Sequence, residues 1–434
     1  MRRIYLAAGV RAIAPLLLLL LLPGVSPAYS VLTHEAIIDS NWDASIKPLL
    51  LKRFRSASAD DLRKAHAYAY GGAIIQDMGY YPFGSKLFSD LTHYVRTGHF
   101  VEVMIRDSQD INEYAFALGA LCHYASDNSG HPIAVNRSVP IIYPKLRARY
   151  GENVTYEDDP SAHMQTEFGF DVVQVARGHY ASEDYHDFIG FQVSKPLLER
   201  AFKDTYGIEL KSLFTNLDLA LGSYRRSVGV IIPEMTKVAW QSKKDEIQKQ
   251  MPGVTSEKFL YSISRADYEK EWGDQYEKPG IWDKILADMF RAIPKVGPFK
   301  ALAFKPPTPE AEKLFLESVN VTVERYKKLL AEVGSHHLRL EDTDFDTGRP
   351  TRIGEYRLAD QTYGALLDKL TRSHSPDAIP PDLRENILAF YDKGGPSVAG
   401  KKEATDWQKT QRQLQLLRSA PVQTVGTSKA ASGK

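Results

Sequence analysis

The 434-residue sequence predicts an all-α fold, a multi-helix bundle with additional C-terminal helices, and three observations carry that prediction. Apolar residues recur at three- and four-residue spacing through most of the chain. The period-two alternation of β-branched residues that a strand needs is scarce. One helix is also marked at both ends. Thr308 suits an N-cap and Pro309 the first helical position; Phe315, Val319, Tyr326, Leu330 and Val333 form a stripe, and Gly334 ends it. The same spacing predicts helices over 59–78, 86–96, 110–127, 161–177, 193–203 and 212–245.

Composition narrows the rest. With 43% hydrophobic residues the chain can bury a large core. Lys and Arg (55) nearly cancel Asp and Glu (54), so no overall field directs the protein to nucleic acid or to an anionic membrane. Arg2, Arg3 and Arg11 precede an apolar run centred on Leu16 to Leu22; Pro23-Gly24 breaks it, and Ser26-Pro27-Ala28 supplies small residues for cleavage. Residues 1–28 are therefore expected to be a cleavable signal peptide, too short in its apolar part to serve as an anchor, and the mature protein to be secreted or periplasmic. Cys122 is the only cysteine, so no internal disulfide is available. A soft boundary near 245 divides residues 29–245 from a helical region 246–418, and 419–434 reads as a disordered tail.

Histidine and carboxylate spacing points to chemistry. His123 and Asp127 lie four apart on a helical segment, and His163 and Glu167 repeat the arrangement. Residues four apart share a helix face. His131 follows Asp127 by four residues at the helix end; upstream, Asp77 closes one helix and His93 sits on the next. Imidazole and carboxylate are ligands for zinc, whose bound water ionises near neutral pH. One such pair alone is commonly a surface ion pair or capping contact, the reading that His66, His99, His179, His186, His336, His337 and His374 receive. An ordered set of pairs reads instead as a metal cluster, with Gly119 and Ala120 leaving room for ions.

Cleavage after Ala28 would leave Tyr29-Ser-Val-Leu-Thr-His34 as the mature start. With Asp77…His93, His123-x3-Asp127, His131 and His163-x3-Glu167, this order resembles the zinc-dependent phospholipase C and single-strand-specific nuclease superfamily. That resemblance implies an all-helical bundle around a trinuclear zinc cluster. Tyr29 (through its backbone), His34 and Asp127 would hold one zinc; Asp77, His93, His123 and Asp127 a second; His131, His163 and Glu167 the third. It further implies attack of a zinc-bound hydroxide on a phosphodiester, with Asp77 as the candidate catalytic base. Tyr29 stands where the family usually has Trp. Three residues separate Asp127 from His131, where the best-known members have five, and the likeness covers about residues 29–170.

Substrate is less marked. Leu32 occupies the fourth mature position, where choline-lipid phospholipases carry a glutamate. Tyr80-Tyr81-Pro82-Phe83 offers aromatic faces for a quaternary amine, for a nucleobase, or for ordinary packing. Phospholipid headgroup cleavage is the favoured expectation, with transient contact to a membrane surface and no stable protein partner. Nucleic acid is the alternative substrate, and a non-catalytic zinc-binding protein the alternative role. Asp342-x-Asp344-x-Asp346-x-Gly348 fails the EF-hand pattern, with glycine seventh and Ile353 twelfth, and reads as a solvated acidic turn.

Overall fold

The computed structural model describes residues 30–239 and 303–419, apart from 178, 181–185, 187–188, 234, 237–238, 374–378, 393 and 396–400. The expected signal peptide, Tyr29, the boundary near 245, His374 and the tail beyond Ser419 lie outside the described residues. Within them the fold is all-α, with one short hairpin.

The order begins with α1 (Val31–Asn41), a π-helical turn and α2 (Lys47–Arg53), then α3 (Ala59–Gly72). A capping box starts α3, Ser58 and Asp61 each binding the other's backbone N–H. After a 3₁₀ turn (Ile75–Tyr80) come α4 (Lys86–Tyr94), α5 (Thr97–Asp107) and α6 (Ile111–Gly130). Asp110 caps α6, accepting from the N–H groups of Asn112 and Glu113 at 2.8 and 2.9 Å. From Glu113 onward every α6 residue is buried. A helix buried on all faces belongs inside, and α6 is the axis of the bundle.

Helix α3 lies against that axis at backbone distance. A Cβ on Gly119 would stand 2.2 Å from the Ala69 carbonyl oxygen, and one on Gly72 would stand 1.9 Å from that of Phe116. Gly119 is thus required by helix packing rather than by space for ions, and Ala120 offers its carbonyl to Gln76 Nε2 at 3.1 Å.

Three expected boundaries move. Helix α3 stops at Gly72 instead of 78, and in the 3₁₀ turn that follows Ser89 and Thr92 of α4 bind the backbone polar groups. Ser89 Oγ donates to the Gln76 carbonyl at 2.5 Å and accepts the Gly79 N–H at 2.9 Å. Asp77 therefore sits in the 3₁₀ turn, not at a helix end. At the other end of α6, the chain does not leave the helix at His131. Gly130-His131-Pro132 runs on through a π-helical turn (His131–Val135) into α7 (Asn136–Ile142). The wide turn accommodates the missing N–H of Pro132. The span 212–245 is also interrupted: α11 (Leu217–Arg226) starts only where Asn216 caps it through Leu219 N–H.

Between α7 and α11 lie α8 (Pro144–Tyr150), α9 (Pro160–Ala176) and α10 (Lys195–Tyr206); Asp159 caps α9. In the C-terminal half, α12 (Pro309–Gly334) has the predicted cap and stripe and lies along α6, Tyr326 donating its hydroxyl to the Leu118 carbonyl at 2.9 Å. The hairpin β1 (Thr343–Asp344) and β2 (Arg349–Pro350) follows, then α13 (Arg357–Ser373), α14 (Pro381–Asp392) and α15 (Lys401–Ser419). Helix α13 packs on α4 and α15.

Gly119→Ala should lower the unfolding free energy by about 3 kcal/mol, the upper end of overpacking costs, in urea titrations. Gly222→Ala, where a Cβ meets nothing within 4 Å, is the control and should be neutral or slightly stabilising.

Candidate metal centre

Eight of the nine expected ligand residues are described, and the fold gathers them in one buried region. His34 comes from α1, Asp77 from the 3₁₀ turn, His93 from α4, His123 and Asp127 from α6, His131 from the π-helical turn, and His163 and Glu167 from α9. None is more than 3% exposed. They form three groups whose ligand atoms lie within 4.8 Å of one another and could hold a metal ion: His34, His123 and Asp127; Asp77, His93 and His123; His131, His163 and Glu167. Tyr29, the ninth, lies outside the described residues.

Asp127 joins the groups. Its Oδ1 is 3.7 Å from His34 Nε2, and its Oδ2 is 3.2, 3.5 and 4.0 Å from Nε2 of His123, His93 and His131. Asp77 Oδ1 is 3.2 Å from His93 Nε2. The π-helical turn keeps His131 on the face of Asp127 without any loop, across the short 127–131 spacing.

Backbone carbonyls set the imidazole orientation. His93 Nδ1 lies 2.7 Å from the Ser89 carbonyl and His123 Nδ1 lies 3.0 Å from that of Ala73. A carbonyl only accepts, so Nδ1 carries the proton in each and the Nε2 lone pair faces the centre. His163 is reversed: Nε2 donates to Asn136 Oδ1 at 2.9 Å and to the Val154 carbonyl at 3.2 Å, leaving Nδ1 towards Glu167 Oε1 at 3.1 Å.

This donor set fits metal ions. Both oxygens of Asp77, both of Asp127 and Oε2 of Glu167 are buried without a hydrogen-bond partner among the described residues. No Lys or Arg there lies within ion-pair distance of these carboxylates; their near neighbours are imidazoles at 3.1–4.0 Å. Donors about 2.0–2.1 Å from one tetrahedral zinc stand about 3.3 Å apart, within the 3.1–4.0 Å range seen here. The electrostatics agree. Burial, reinforced by Asp127, raises Asp77; burial and the carboxylates of Asp77, Asp127 and Asp346 raise Glu167 well above the usual range. Burial alone would depress His93, but contacts to Asp127 and Asp77 outweigh it and raise that imidazole to about 10. Unless a metal supplies positive charge, protons must.

Several contributors escaped sequence reasoning. Asp171, four residues after Glu167 on the same face of α9, receives the Leu32 N–H at 3.0 Å and the Thr33 hydroxyl at 2.6 Å. It fastens the start of α1, next to His34, to α9. Burial raises its carboxyl to about 6, against those hydrogen bonds. Asn136 holds His163. The acidic segment is not a solvated turn: Asp344 and Asp346 are buried, and Phe345 lies edge-on to His93 at 5.3 Å. A run of alternating aspartates gave no sign that the intervening Phe345 would drive the segment inward.

His66 and His186 depart from the surface or capping reading. They approach a buried Asp39 at 3.0 and 3.5 Å, with His186 Nδ1 also 2.9 Å from Glu35, and His66 stacks on Trp42 at 3.8 Å. Of the aromatic cluster, Tyr81 packs edge-on to Tyr224, Phe83 is exposed, and Tyr80 stands edge-on to His93 at 5.8 Å and beside Tyr156 at 6.4 Å.

A family model described as zinc dependent phospholipase C matches residues 33–216. No curated protein and no solved structure matches the chain. The matched span contains every donor from His34 to Glu167 and ends before the hairpin.

Two outcomes follow. Zinc added to chelator-stripped protein should raise the melting temperature, and Asp127→Ala should abolish most of that rise, read by calorimetry. Asp171→Ala should cost about 1–3 kcal/mol of stability in denaturant titrations, by stranding the Leu32 and Thr33 donors.

Proposed function

From a chain that belongs to the zinc-dependent phospholipase C superfamily, we propose a zinc phosphodiesterase, exported to the periplasm or beyond, that removes phospholipid headgroups. The observation that carries this reading is the set of three buried donor groups joined through Asp127 and His123, with carboxylate oxygens that have no hydrogen-bond partner among the described residues. Three ions per chain would match those groups.

Zinc bound there would lower the pKa of water and neutralise charge on a phosphoryl group. The chain's own residues do the remainder. The carbonyls of Ser89 and Ala73 keep His93 and His123 in the tautomer whose Nε2 faces inward. Asn136 does the converse for His163. Asp77, raised by burial and 3.2 Å from His93, would take a proton from water, while Tyr80 and Tyr156 border the centre. Leu32 is buried in the core, so headgroup contact falls to other residues, and the rings of Tyr80 and Phe83 are the candidates. The proposed activity includes transient contact with a lipid surface; among the described residues no helix is long and apolar enough to cross a membrane.

A side-by-side assay tests the proposal. Zinc-loaded protein beginning at Tyr29 should cleave phosphatidylcholine in vesicles faster than single-stranded DNA, and a chelator should abolish turnover. In zinc-saturated protein, Asp77→Asn should lower kcat by about 10²-fold or more. Faster DNA cleavage would favour the single-strand nuclease reading. Absence of both activities in the metal-loaded protein would favour a non-catalytic zinc-binding role.

A further inference from the structure

The hairpin between α12 and α13 lies outside the family-matched span, yet it reaches the centre of the molecule. The Thr97 hydroxyl donates to the Thr343 carbonyl at 2.9 Å and accepts the Thr343 N–H at 3.0 Å. The Thr343 hydroxyl donates to Asn128 Oδ1 at 2.8 Å, and the Phe345 N–H donates to the His93 carbonyl at 3.1 Å. Gly348, at φ +68°, presses so close to Asn128 that a Cβ would stand 2.8 Å from its carbonyl oxygen. Two of these anchors adjoin expected ligands, His93 itself and the neighbour of Asp127.

At the tip is Asp346, 2% exposed. Its Oδ2 accepts the hydroxyls of Tyr94, at 2.9 Å, and Tyr356. With that oxygen engaged twice, Oδ1 is turned to His131, 3.5 Å from Nε2. A charge-assisted hydrogen bond between these groups would close to about 2.7–2.9 Å. The observed spacing is instead that of two donors sharing one ion, as for His93 and Asp77. Asn136 adds a second link: its Oδ1 accepts from His163 while its Nδ2 donates to the Asp346 carbonyl at 2.7 Å. One side-chain amide thereby sets both His163 and the backbone of Asp346. Hydrogen bonds from Tyr94 and Tyr356 to the non-ligating oxygen are the outer-shell pattern that orients a metal-binding carboxylate.

We propose that Asp346 is a further ligand of the metal centre, its Oδ1 sharing an ion with His131. The assignment rests on the zinc reading above. It makes the hairpin part of the metal site, so a chain cut after the matched span would lack one donor.

Cobalt(II) titration of the chelator-stripped full chain, followed by visible absorption, tests it with a readout independent of hydrolysis. Asp346→Asn should weaken uptake of one ion about 10–100-fold and change the absorption of that ion, the remaining uptake staying as in the wild type. Circular dichroism of the stripped variant reports whether it folds; if it does not, Tyr356→Phe replaces it and should weaken the same ion to a smaller degree. An unaltered spectrum in the folded variant overturns direct ligation by Asp346, even where affinity falls. Unchanged uptake in Tyr356→Phe, should that variant carry the test, overturns it equally. Failure of the wild type to take up cobalt removes the zinc reading and this assignment together, so the two failures are distinct.

Discussion

The burial of Asp127 is the constraint on which the other features depend. A carboxylate at the axis of the bundle, fully enclosed, costs several kcal/mol unless opposite charge reaches it. Four imidazoles come from four elements to surround it: His34 from α1, His93 from α4, His123 one turn earlier on α6, and His131 from the π-helical turn. Each of those helices must therefore arrive at a set position and rotation. The apolar packing accommodates that demand. Gly72 and Gly119 bring α3 to backbone contact with α6, and the turn after α3 then delivers Asp77 beside His93.

Outer hydrogen bonds convert this crowd of polar groups into an ordered donor set. Imidazole presents either nitrogen, and the protein removes the choice by giving one nitrogen a carbonyl or an amide oxygen. His93 and His123 are set by backbone carbonyls of helical turns, which side-chain substitution does not remove. His163 is set by the side chain of Asn136 as well as by Val154, so its orientation depends on a residue that also holds the hairpin. The two ends of the centre are thus stabilised differently, one by the bundle and one by a connection to the C-terminal half.

The parts legible in the sequence were those encoded locally. Four-residue spacing identified His123 with Asp127 and His163 with Glu167, because the helix converts spacing directly into a shared face. Thr308, Pro309 and Gly334 announced α12 for the same reason. Where interpretation failed, the deciding partner lay far along the chain. Nothing near Gly79 reveals that its N–H will be taken by Ser89 in a 3₁₀ turn, and nothing near Pro132 reveals that the helix continues. Gly119 reads as space for ions because its contact with Ala69 is invisible in one dimension. The Asp342–Gly348 run seemed solvated because its partners, Thr97, Tyr94 and Asn128, are more than two hundred residues upstream.

That last failure bears on how the molecule is built. A chain with one cysteine, buried in α6, has no disulfide to close its loops, and the long connection from α6 to the hairpin must be closed by contacts alone. Phe345 provides an apolar contact by packing on His93 and Tyr124, and Asp346 provides a polar one through two phenols and an imidazole. Both contacts fall on the metal centre, not on a peripheral helix. Binding an ion there would stabilise the closed connection as well as the donor set, since metal affinity for the folded state alone adds to folding free energy. The C-terminal half is then coupled to the centre in both directions. It supplies the lid over His93 and His123, and the charge at the centre gives the hairpin a reason to stay docked.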